Sequence, residues 1–210
     1  MKKIIAITLI TILAFLYIIQ KPRDTYAMKE DISNKLIRFH VIANSDSPDD
    51  QNLKLRVRDA VIKKMSSKFI GIKDLKQSEK IIKENLHEIQ KIAQDTVYSN
   101  GKRYEVNAIY GRFDFPTKYY GTITLPAGNY NALRIVIGNG DGKNWWCVMF
   151  PPLCFVDITH GLSSDETKEE LKQYLSEDEL SMIETSKPPV KFKIVEVFEK
   201  YYKDLRMAFK

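Results

Sequence analysis

Asn131-Ala132-Leu133-Arg134-Ile135-Val136-Ile137, then Gly138-Asn139-Gly140-Asp141-Gly142, then Trp145-Trp146-Cys147-Val148-Met149-Phe150: two runs rich in β-branched and aromatic residues flank a glycine-rich pentapeptide. Consecutive Gly and Asn supply the positive φ angles of a tight turn, so this is the clearest hairpin signal in the chain. Upstream, Tyr104 to Phe113 and Tyr120 to Leu125 add two more β-rich runs, and the region reads as a meander of about four strands. Further upstream, Ile37, Phe39, Val41 and Ala43 alternate with Arg38, His40 and Ile42, which predicts a strand with one face on the core.

Helix starts follow from capping chemistry. Ser47-Pro48-Asp49-Asp50 places a hydroxyl at the cap, proline at the first helical position and carboxylates at the positive end of the dipole. The helix after it should bury Leu53, Val57, Ala60, Val61 and Met65. Asp74 with Gln77 opens a long second helix, whose apolar positions Leu75, Ile82, Leu86, Ile89, Ala93 and Val97 keep helical period up to Asn100-Gly101. Ser163 with Glu166 and Ser176 with Glu179 repeat the capping box before two shorter helices. After Pro188-Pro189 the apolar positions Phe192, Val195, Phe198, Tyr202 and Leu205 suggest a helix, although Val190-Phe192-Ile194 also alternates like a strand. The expected class is α+β, helices on an antiparallel or mixed sheet in a single domain.

The N-terminus reads as an export signal. Lys2 and Lys3 precede an apolar run from Ile4 to Ile19, shorter than the ~20 residues of a comfortable membrane span, and Thr25-Tyr26-Ala27 offers small residues for cleavage after Ala27. An uncleaved anchor is the competing reading. Either way residues 28–210 form an extracytoplasmic, secreted domain. Removing residues 1–27 takes away Lys2, Lys3, Lys21 and Arg23 against Asp24, so the net charge falls from +6 to +3. That balance argues against nucleic acid as a partner. Residues 187–210 carry seven basic side chains against Glu196, Glu199 and Asp204, and such a segment can make weak contact with an anionic membrane surface. A solvated lysine-rich face is the plainer explanation.

Both cysteines and both tryptophans fall between Asn144 and Phe155. Cys147 and Cys154 lack the further ligands of a metal site, and an exported protein meets oxidising conditions, so a disulfide is the favoured reading over two buried free thiols. The ring would enclose Phe150-Pro151-Pro152-Leu153 as a rigid, protruding apolar loop that needs a partner to cover it. Trp145 and Trp146, adjacent in a strand, should point to opposite faces, one into the core and the other exposed as a binding anchor or covered by a helix. His40, Asn44 and Asp46 could deliver polar groups to one strand edge, but Asn44-Ser45-Asp46-Ser47 is also what a strand-to-helix turn needs. His87 should face solvent, and His160-Gly161 and Asp141 read as turn chemistry. The sequence points to no cofactor, no metal and no catalytic set.

Two stretches carry a family resemblance. Arg38-Phe39-His40-Val41-Ile42-Ala43-Asn44-Ser45-Asp46-Ser47, with Asp50-Gln51 and Val57-Arg58-Asp59, and then Asn144 to Phe155, resemble the stage II sporulation protein R family in the family's order, the likeness running over roughly residues 35 to 200. The resemblance implies a non-enzymatic secreted signal, made in the forespore, that crosses its membrane into the space facing the mother cell. There it would trigger a membrane-embedded aspartic protease that processes the sigma-E precursor. Trp145, Trp146, Phe150 to Leu153, His40, Asn44 and Asp46 are the candidate contacts. The alternative is an exported cell-wall or peptide hydrolase using His40 with Asp46 or a free Cys147, although no Gly-x-Ser-x-Gly or His-Glu-x-x-His motif supports it.

Overall fold

Ser47 turns the chain from its first strand into its first long helix: its hydroxyl accepts the Asp50 amide at 3.2 Å, with Pro48 at the first helical position. In a computed structural model, which describes residues 26–156 and 164–184, the elements run as follows. Helix α1 (26–35) leads into β1 (Ile37–Ile42), then α2 (Pro48–Phe69), α3 (Leu75–Glu84) and α4 (Leu86–Ser99). Strands β2 (Val106–Phe115), β3 (Lys118–Tyr120), β4 (Ile123–Leu125), β5 (Gly128–Ile137) and β6 (Asn144–Phe150) follow, and α5 (Leu153–Val156), α6 (Ser164–Leu171) and α7 (Glu177–Ile183) close the described chain. Residues 1–25 of the signal segment expected over 1–27, His160, the Ser163 cap and the 187–210 segment lie outside the described residues, while residues 26 and 27 begin helix α1. The class is α+β, a single domain with helices on a mixed four-stranded sheet.

The sheet order is β2-β5-β1-β6, with β1 parallel to β5 and antiparallel to β6. The expected hairpin of β5 and β6 is therefore corrected: β1 lies between them. Crossing over one strand requires about 9–10 Å, which the six residues 138–143 span easily. The loop is fastened to the end it crosses. The amide of Gly142 donates to the Ala43 carbonyl at 3.0 Å, that of Asp141 to the Asn44 carbonyl at 3.2 Å, and that of Lys143 to the Asp46 carboxylate at 2.6 Å. A Cβ on Gly142 would come within 2.6 Å of the Ser45 carbonyl carbon, so only glycine lets the loop pass this close.

Lying between two neighbours and between two layers, β1 is buried on both faces rather than one, and Arg38 is 0% and His40 5% exposed. On one face Phe39, Val41, Leu133 and Ile135 meet Leu53, Val57, Val61 and Met65 of α2 and Ile89, Ala93 and Val97 of α4. Ala60 is only half-buried. On the other face Ala132, Val148 and Tyr130 meet Ile32 and Leu36 near β1, Ile123 and Leu125 of the β3–β4 hairpin, and Leu171, Leu175, Leu180 and Ile183. Each such aliphatic side chain contributes roughly 1.5–3 kcal/mol by burial.

Two further differences have local causes. The single long helix expected from Asp74 is interrupted at Asn85, whose side-chain amide donates to the Ile81 carbonyl at 2.7 Å while its oxygen accepts from Lys68 at 2.7 Å. Asparagine here competes with the helical ladder. Helix α1 was not expected; Ile32 on it is fully buried, and Lys35 pairs with Glu179 of α7 at 2.7 Å. The Asp74 cap and the Ser176–Glu179 capping box form as read.

Candidate functional site

Pairing register decides which side chains share the sheet face turned away from α2 and α4. His40 stands opposite Arg134 on β5 and Trp146 on β6, and Ile42 opposite Val136 and Asn144. One end of this face, around Arg38, Ala132 and Val148, is covered by the second core. The other end holds a basin of about 530 Å³ lined by His40, Ile42, Arg134, Asn144 and Trp146, with Arg112, Phe113 and Asp114 on its β2 side.

At its floor the imidazole of His40 stacks on Trp146, ring centroids 3.9 Å apart at 17°, and meets Phe115 edge-on. Neither ring nitrogen has a hydrogen-bond partner of proper geometry among the described residues. Burial pushes its pKa down to about 4; Asn144 beside it favours the protonated ring, and the charges of Arg134, Arg38 and Lys118 oppose protonation. The Nε of Arg134 is likewise buried without a partner, its guanidinium lying 5.2 Å from the Phe113 ring. Lys118 projects its ammonium over Trp146 at 5.0 Å, and burial lowers its pKa.

Beneath this lies a buried cation that sequence reading passed over. Arg38 donates from Nε to the Cys147 carbonyl at 3.1 Å and from one Nη to the Tyr120 hydroxyl at 2.7 Å, with the Phe115, Tyr130 and Tyr120 rings at 4.6, 5.1 and 5.7 Å. Its other Nη has no partner and no carboxylate faces it among the described residues. The buried part of the site is electropositive and short of acceptors among the described residues. Arg38, Arg112, Lys118, Arg134 and Asn144 were missed because they come together only through register; the signal available was Arg38 and His40 alternating on a strand that proves central.

The other candidate residues separate. Asn44 and Asp46 belong to the corner, not the basin. Asn44 donates to the buried Asp50 at 2.9 Å and accepts the Asn139 amide at 3.1 Å, while Asp46 accepts from Lys143 and from Gln51. Burial alone would raise the Asp50 carboxyl, but bonds from Asn44 and Ser45 outweigh it and hold its pKa below the usual carboxylate value. Trp145 and Trp146 do take opposite faces, both half-buried, Trp145 packing edge-on to Phe39 at 5.8 Å beneath the Arg58 guanidinium.

Cys147 and Cys154 are joined by a disulfide, Cα atoms 6.0 Å apart. The protruding apolar loop is a correction, however. A register shift between Ile37 and Arg38 places Met149 and Phe150 both in the helix-side core, Pro151 is buried, and Phe150 packs edge-on to Tyr174 at 4.9 Å. Pro152 and Leu153 are half-buried, and Leu153 opens α5. The chain's own core covers Phe150 and Pro151 and leaves Pro152 and Leu153 partly accessible. His87 is exposed.

Comparison with known proteins fits this arrangement. The family model for stage II sporulation protein R matches residues 33–160, which contain β1, the corner, the basin and the disulfide. Stage II sporulation protein R of Bacillus subtilis (strain 168) is 42% identical over 144 residues, 68% of this chain and 64% of the relative, so the match spans just under two thirds of the relative's length. No solved structure matches. The chain belongs to the stage II sporulation protein R family.

Proposed function

We propose that the protein is an exported signal of sporulation that works by contact. In this reading it crosses the forespore membrane into the space facing the mother cell and activates a membrane-embedded aspartic protease there, which processes the sigma-E precursor. Family membership carries the proposal. The end of the sheet that the described residues leave uncovered, where the large half-buried ring of Trp146 borders a cationic basin, supports it as a binding surface. The competing hydrolase loses its parts: Asp46 is engaged by Lys143 and Gln51 and not by His40, and Cys147 is tied to Cys154.

The test is precursor processing reconstituted with the receptor protease. Wild-type chain should trigger it, and Trp146→Ala, checked for folding by circular dichroism, should lower it at least tenfold. Incubation of the purified chain with peptidoglycan and peptide libraries should release nothing. Hydrolysis there, or full processing by folded Trp146→Ala, overturns the reading.

A further inference from the structure

We infer that the basin is a carboxylate-binding site for an acidic, partly apolar peptide segment of the partner, an inference that takes the partner from the contact reading above. The first observation is a surplus of donors. Among the described residues neither ring nitrogen of His40, 5% exposed, has a hydrogen bond of proper geometry, Asn144 being the polar side chain beside it, and the buried Nε of Arg134 has no partner; both residues line the same 530 Å³ space. A buried polar group left unpaired costs free energy, so such a cluster is stable to keep only where an acceptor arrives from outside.

The second observation is the sign of the surroundings. Arg134, Arg38 and Lys118 all place positive charge on His40. The carboxylate in the lining, Asp114, already accepts from Asn129 at 2.8 Å, and Arg112 is held by Asn129 and Asn34. Among the described residues the buried unpaired donors of the lining belong to Arg134 and His40, and a neutral imidazole offers one N–H beside the guanidinium. That set matches the two oxygens of a single carboxylate. Trp146, Ile42 and Phe113 are the apolar members of a lining that is otherwise mostly polar, so the walls set the charge of the ligand and its peptide character comes from the contact reading.

The experiment titrates the purified full-length chain with blocked pentapeptides carrying one Glu or Asp among apolar residues, and with their Gln or Asn twins, by calorimetry and tryptophan fluorescence. Inorganic phosphate and phosphatidylglycerol vesicles serve as rival anions. The acidic peptides should bind at least tenfold tighter than the amide twins and weaken with salt. Arg134→Gln, and independently His40→Gln, should remove most of that preference, with Arg134→Lys restoring part of it. Equal binding of acid and amide peptides, no binding, or stronger binding of phosphate or vesicles than of any peptide overturns the inference. Precursor processing is assayed in parallel. If acidic peptides bind but wild-type chain fails to trigger processing, the contact reading falls and the site stands; if none binds, the site falls whatever the processing assay gives.

Discussion

At the scale of the residue, His40 shows how position overrides identity. An imidazole on an exposed edge would titrate near pH 6.5, whereas stacked on Trp146 and among Arg134, Arg38 and Lys118 it is neutral in the folded state down to about pH 4. Between about pH 4 and pH 6.5 the unfolded chain binds a proton there that the folded chain does not. The contribution of the neutral ring is thus fully present above pH 6.5 and is lost as pH falls through that window. Urea midpoints should drop from pH 7 to pH 4.5, and His40→Gln should remove a component of that drop on the order of 2 kcal/mol. An unchanged pH dependence in the variant would show that the ring stays solvated. Arg38 makes the complementary point, since a guanidinium at 0% exposure is held by one carbonyl, one hydroxyl and three aromatic rings, with no carboxylate against it among the described residues.

At the scale of the element, the loop 138–142 is the instructive case. Its glycines were legible as turn formers, and Gly138 and Gly140 do take φ of 57° and 69°. They do not close a hairpin; they carry the chain over the end of β1. Gly142→Ala should therefore displace the corner at Ala43–Ser45 rather than a simple turn, costing about 1–3 kcal/mol in thermal melts and loosening amide protection at Asn44 and Asp46. A neutral Gly142→Ala would mean the crossing is not tight. Caps and helical periods were read correctly at Ser47, Asp74 and Ser176 because they are decided within four residues. Strand existence was legible for the same reason. Strand order was not, because alternation says that a strand has faces and never which strand lies beside it, and the basin, assembled from β1, β2, β5 and β6, inherited that blindness. The Asn85 break was missed because its local part, the bond back to the Ile81 carbonyl, is open to any helical asparagine, and the part that fixes it here, the bond from Lys68 of α2, is tertiary.

At the scale of the whole molecule, the sheet divides two cores of different character. The helix-side core is continuous and runs into α5, where Phe155 stacks on Phe69 of α2 at 4.8 Å and Cys154 is 3% exposed. Among the described residues the far side is covered at one end only, which leaves the cationic basin open at the other. The disulfide lies on the covered side. It ties the edge strand β6 to α5 behind the surface proposed for binding, so its work is to hold the Trp146 strand against β1 rather than to present a loop. Closing an eight-residue ring stabilises by about 2.5 kcal/mol through the unfolded chain. The double variant Cys147→Ala, Cys154→Ala should lower the unfolding free energy by roughly that amount with little change in m-value, and non-reduced digests of wild type should yield the linked pair. Because the ring sits behind the basin, the folded double variant should keep its affinity for an acidic peptide within about threefold, whereas a protruding recognition loop would lose it with the bond. Loss of peptide binding at full folding would therefore place recognition at Pro152–Leu153 and move the site away from His40 and Arg134.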